Sequence, residues 1–134
     1  MEAKELRIGN YVDFCGISKI LELHSEKKQF DNVYLECEES FEWGEYERLR
    51  PIPLTEEILL KCGFKLFSSG SYCKNLITDS CAYLAFDLKF NNGFCWLNIQ
   101  YGKVENTTKI SCSYIHQLQN LYFALTNEEL TVNL

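Results

Sequence analysis

The chain has 134 residues, 46% of them hydrophobic, with nine Phe, eight Tyr and two Trp, enough for one compact domain or two very small ones sharing an interface. The aromatic content argues against disorder, no apolar run reaches the about 20 residues of a membrane span, and Met1-Glu-Ala-Lys-Glu5 has neither the basic nor the apolar region of a secretion signal. Of the net charge of −6, residues 1–67 carry −5 and residues 68–134 only −1, and no basic stripe is present to displace phosphate counterions, so nucleic acid and anionic membrane are disfavoured as partners.

From the N-terminus, Tyr11 to Phe14 reads as a strand with Val12 and Phe14 on one face, Cys15-Gly16 as a turn, and Ile17 to Leu23 as a second strand with Leu21 and Leu23 inward. A polar loop from His24 to Asn32 follows. Val33, Leu35 and Cys37 then alternate with Tyr34, Glu36 and Glu38, the pattern of a half-buried strand. Gly44 suggests a turn, and Tyr46 to Arg50 a fourth strand. Several short strands with tight turns predict a small bent sheet or SH3-like β-barrel over residues 1–50.

Residues 51–63 read as a joint. Pro51 and Pro53 cannot donate to a ladder. Thr55 then caps a short helix whose first turn holds Glu56 and Glu57, and Gly63 ends it. Leu54 and Leu59 fit a hydrophobic staple; Ile58, Leu59 and Cys62 form the buried stripe.

Residues 64–134 read as an antiparallel sheet packed by a helix. Phe64–Phe67 and Tyr72–Ile77 are short strands around a Ser68–Ser71 turn. Asn92-Gly93 is a two-residue hairpin signal. It predicts the pairs Phe90–Cys95, Leu88–Leu97, Phe86–Ile99 and Leu84–Tyr101 on the apolar face, with Lys89 over Trp96 on the other. After a polar stretch from Gly102 to Thr108, Lys109–Cys112 is the last strand before a helix over residues 114–125. Ile115, Leu118, Leu121, Tyr122 and Leu125 recur at helical spacing, to lie along the apolar face of that hairpin, and Asn127 suits the left-handed residue past its end. Leu130, Val132 and Leu134 alternate as an edge strand would. The fold class expected is α+β.

Three blocks carry a resemblance: Glu5-Leu-Arg-Ile-Gly-Asn10, Pro51-Ile-Pro-Leu-Thr-Glu-Glu57 with Leu59-Leu60 and Gly63-Phe64, and His116-Gln-Leu-Gln-Asn-Leu-Tyr-Phe-Ala-Leu-Thr126 with Glu128-Glu-Leu130. Together they resemble a large group of small uncharacterised proteins from anaerobic gut bacteria and their prophages and conjugative elements. Its members more often carry Gly where this chain has Asn127. The resemblance implies a cytosolic, mobile-element context and no catalytic activity.

Among residues that could carry chemistry, the seven cysteines form no Cys-x-x-Cys and no zinc-finger spacing with histidine, so neither a metal nor a cofactor is expected. In a reducing cytoplasm they would remain thiols. Cys112 and His116 resemble a nucleophile and its base at a helix start, but lack a third group to orient the imidazole. His116, Gln119 and Asn120, with Gln117, line the polar side of the last helix, where they would either bracket neighbouring strands or contact a small molecule or nucleotide. Glu42 and Glu45, with further glutamates, surround Phe41, Trp43 and Tyr46. Aromatic anchors in an acidic rim suit a protein partner, because such rings dominate interface hot spots. The leading expectation is a non-enzymatic protein-interaction module; the alternative is a small-ligand binder using the groove beside helix 114–125.

Overall fold

A computed structural model describes residues 1–24, 32–76, 82–87, 93–101 and 103–134. The chain is α+β, with a four-stranded and a five-stranded antiparallel sheet and a C-terminal helix. It divides into two compact units: residues 1–53 with 114–120, and residues 54–113 with 121–134.

In the first unit the strands β1 (Tyr11–Asp13), β2 (Ile17–Leu23), β3 (Val33–Glu36) and β4 (Phe41–Gly44) follow one another in spatial order, each antiparallel to the next. Among the described residues the sheet is open, with no closed barrel. Leu6, Val12, Ile20, Val33, Leu35 and Leu49 make the core, with Phe14, Leu23, Cys37 and Tyr46 packed against it. The expected inward pair Leu21 and Leu23 is corrected by a bulge. Ile20 faces Leu35, the register then shifts, and Leu23 faces Val33, so Leu21 is the extra residue and Ser18 and Ile20 fill the earlier buried positions. One inserted residue changes the phase of a period-two pattern and returns Leu23 to the core. The fourth strand is also corrected: it is Phe41–Gly44, while Tyr46–Arg48 winds into a 3₁₀ turn and Arg50 makes only an isolated bridge to Asp13. Gly44 lies within this strand because a Cβ there would meet the Phe14 ring at 2.8 Å.

In the second unit the helix α1 (Glu56–Lys61) starts at Thr55, whose Oγ1 accepts from the Ile58 N–H at 3.3 Å. It ends in a left-handed Gly63 (φ 80°), with Phe64 N–H donating to the Leu59 carbonyl and Gly63 N–H to that of Leu60. This is the paired C-terminal cap that glycine allows. Leu59 and Cys62 are buried, and burial pushes the Cys62 thiol up to about 11. The sheet runs β5 (Lys65–Leu66), β6 (Tyr72–Asn75), β7 (Ala82–Phe86), β8 (Phe94–Tyr101), β9 (Val104–Ser111), each neighbour antiparallel.

The β7–β8 register differs from the hairpin expectation. Leu84 faces Leu97 and Ala82 faces Ile99, rather than Leu84 facing Tyr101. The slip is an even number of residues, so Leu84, Phe86, Cys95 and Leu97 keep the same face. Asn92 and Lys89 lie outside the described residues, and the cation over Trp96 is Lys109 at 5.7 Å. The stretch expected to be polar coil before Lys109 is strand, because β9 begins at Val104. Residues 130–134 form no strand; Leu130 is simply buried. The last helix, α2 (Ile115–Thr126), buries Ile115 and Leu118, and Asn127 takes the left-handed conformation (φ 57°). No described helix is long and apolar enough to cross a membrane.

Candidate functional site

The outward face of β3 and β4 carries a row of rings. Alternation sends Val33 and Leu35 into the core and Tyr34 outward; on β4 it sends Phe41 and Trp43 to that same outer face, with Tyr34 directly opposite Trp43. The Tyr34 centroid lies 4.9 Å from Trp43 and 6.2 Å from Phe41, and His24 lies 5.5 Å from Trp43. Phe41 is 60% and Trp43 44% exposed. Side by side, Phe41, Tyr34, Trp43 and His24 make a ladder of rings, stacked between Tyr34 and Phe41 and tilted at the other two contacts, that is open to solvent.

Carboxylates border the ladder. Glu36 is exposed and faces Phe41 across the strands; on its other side it faces Lys19. Glu22 meets the His24 Nε2 at 3.0 Å. Glu38 and Glu39 are exposed in the turn that leads into β4.

Not all of the residues marked in the sequence join this face. Glu42, between the two rings, points to the opposite side of the strand, where it accepts from the Ser40 hydroxyl at 3.0 Å and the Cys15 thiol at 3.9 Å. Glu45 is half-buried at the start of the 3₁₀ turn. Tyr46 packs on the core, its hydroxyl donates to the His24 carbonyl at 3.1 Å, and its own carbonyl accepts from the α-ammonium group at 3.3 Å. Tyr34 and His24 complete the face without being among the residues the sequence marks for it. For Tyr34 the signal existed, since it alternates with the buried Val33 and Leu35; for His24 it depended on the bulge in β2.

The second marked set lies inside the first unit. Gln119 is 2% exposed; its Oε1 accepts from the Tyr11 N–H and its Nε2 donates to the Gly9 carbonyl, each at 2.9 Å. Asn120 donates to the Glu5 carbonyl at 2.9 Å and accepts from Asn10 Nδ2 at 3.0 Å, while Asn10 Oδ1 accepts from the Arg7 N–H at 2.8 Å. Two amides of α2 thus do for the 5–11 segment what a neighbouring strand would do, and those of Gln119 satisfy partly buried backbone groups that would otherwise lack these partners. His116 is also 2% exposed, with its ring stacked at 10° on Tyr114; its Nδ1 has no hydrogen-bond partner among the described residues. Burial holds its pKa below the usual imidazole range, against an opposing pull from Glu5.

Cys112 is fully buried. A hydrogen bond with Cys95, together with that burial, pushes its thiol far up, the reverse of what a nucleophile needs. No group of three or more metal-ligating side chains is found among the described residues. A cavity of about 370 Å³ in the second unit is lined by Phe67, Ser69, Cys73, Asn75 and Tyr83, none of which belongs to the polar set on α2. No family model, curated protein or solved structure matches this chain.

Proposed function

We propose that this chain is a non-enzymatic, cytoplasmic protein-interaction module of mobile-element origin, engaging its partner through the Phe41–Tyr34–Trp43–His24 ladder. The observation that carries the reading is the exposure of Phe41 and Trp43 on a face where each already packs against the ring of Tyr34. Rings held in this way lose little conformational freedom on binding and bury a large apolar area, the profile of an interface anchor. The bordering glutamates favour a basic partner segment, whose guanidinium or ammonium groups would lie over the rings and beside the carboxylates. The resemblance of the three sequence blocks to proteins of prophages and conjugative elements supports the biological context.

The small-ligand alternative draws less support. Gln119 and Asn120 spend their polar atoms on backbone groups and on the Asn10 side chain of their own unit, so a ligand there would have to displace these bonds.

The test is affinity capture from the native host with the wild-type chain and with a Phe41→Ala/Trp43→Ala double variant. The wild type is expected to retain one basic protein in near-equal amount, and the variant to lose it at an unchanged melting temperature. Equal retention by both chains, or collapse of the variant's fold, would remove the ladder as the binding face.

A further inference from the structure

The second sheet ends on an unusual strand. Among the described residues β9 is outermost and pairs with β8 alone, in unbroken register from Phe94 opposite Ser111 to Tyr101 opposite Val104. It is eight residues long, and Val104 to Lys109 are all exposed. It holds no proline and no bulge. An edge of this length offers a row of backbone donors and acceptors to another strand, and proteins usually shorten, bulge or break such edges unless they are used.

The sequence of the strand selects the occupant. When a strand pairs antiparallel with its own copy, residues directly opposite share a face, so the two-fold axis must pass through a residue. Centred on Thr107, Glu105 of each copy faces Lys109 of the other, Val104 faces Ile110, and Thr107 faces itself. Centring on Asn106 would oppose Lys103 to Lys109; centring on Thr108 would leave Glu105 against Ser111 and Lys109 against Thr107. Only the Thr107 register pairs both charges and both branched apolar side chains.

The two charges also share one face of the sheet. Glu105 Oε1 accepts from Asn98 Nδ2 at 2.5 Å, and Lys109 Nζ sits 4.0 Å from the Phe94 centroid, so both extend over the same face of the sheet. We propose that the chain forms a two-fold dimer in which β9 pairs antiparallel with β9 of a second copy about Thr107, making one continuous sheet of two five-stranded halves. This inference is independent of the aromatic ladder.

Sedimentation of the full chain with Glu105→Lys, Lys109→Glu and the double exchange tests it. The wild type is expected to be a dimer. Each single exchange converts two attractions into two repulsions and should raise the dissociation constant about tenfold or more. An equimolar mixture of the two single variants should recover the dimer, as should the double exchange, because each copy then supplies the charge the other needs. Should a single variant fold poorly, Thr107→Cys decides: opposed Cα atoms about 4.5–5.5 Å apart allow a disulfide, so mild oxidation should cross-link it, whereas Ser111→Cys should stay uncross-linked. A wild type that sediments as a monomer at about 0.1 mM, a regime in which even micromolar dimers are populated, would overturn the proposal. So would a dimer indifferent to all the exchanges.

Discussion

In the first unit the amide Gln119 lies inside and Asn120 is half-buried, while the rings of Phe41 and Trp43 lie outside, the reverse of what polarity alone would assign. The inner set is polar, with its amide atoms bonded to backbone groups of the 5–11 segment and to the Asn10 side chain; the outer set is apolar and held by ring-to-ring contact. A buried polar group whose bonds are complete is a structural part. A fixed ring left in water is available to a partner. The β8–β9 face gives a third state, with Phe94 and Trp96 exposed to a cation supplied by the chain itself, Lys109.

The inner set should break hardest. Gln119→Ala would strand the partly buried Tyr11 N–H and Gly9 carbonyl, and at about 1–3 kcal/mol for each unsatisfied group the loss should be roughly 2–6 kcal/mol in urea unfolding. A loss below about 0.5 kcal/mol, the range of ordinary surface changes, would show these bonds to be dispensable. Gly44→Ala drives a methyl group toward the Phe14 ring and should cost about 1–3 kcal/mol by overpacking; an unchanged melting temperature would mean that the ring moves freely. Lys109→Gln removes an exposed cation–π contact, and its effect should be about 0.5–1 kcal/mol. Trp43→Ala should stay within about 0.5 kcal/mol of wild type while abolishing partner capture, and a larger loss would move that ring from the open class to the structural one.

The pH dependence sharpens the same contrast. Burial lowers the folded pKa of His116, so the unfolded chain takes up this proton first. The stability tied to the neutral ring is complete above the unfolded pKa of about 6.5 and declines as the pH falls toward the lower folded value. His116→Gln should flatten that acid limb in unfolding monitored from neutral pH downward, and an identical slope in both chains would exclude His116 as its source.

Much of the fold was legible where one local rule decided the matter. Thr55, Gly63 and Asn127 marked helix ends through capping chemistry, and Val33 and Leu35 marked a strand through alternation. The failures share a physical cause. Alternation fixes a register only modulo two, so Leu84 could face Leu97 or Tyr101 with the same apolar sorting, and the Asn92-Gly93 turn signal chose the wrong one. The bulge at Leu21 and the strand status of the polar β9 depend on neighbours, which no local pattern records. As for the candidate site, Phe41 and Trp43 were identified together, but Glu42 was included because it is adjacent in sequence, and a strand sends adjacent residues to opposite faces.

The bonds from Gln119 and Asn120 to the 5–11 segment span sequence separations of 108 to 115 residues. During synthesis the strands of the first sheet therefore emerge well before residues 114–120, the segment that completes the first unit. Folding of the first unit cannot run ahead of translation as it does in a domain built from consecutive residues, and the long loop that must close makes the final step slow. A chain interrupted before residue 119 would carry the Tyr11 N–H and Gly9 carbonyl without these partners, a difference open to proteases that act on incompletely folded chains.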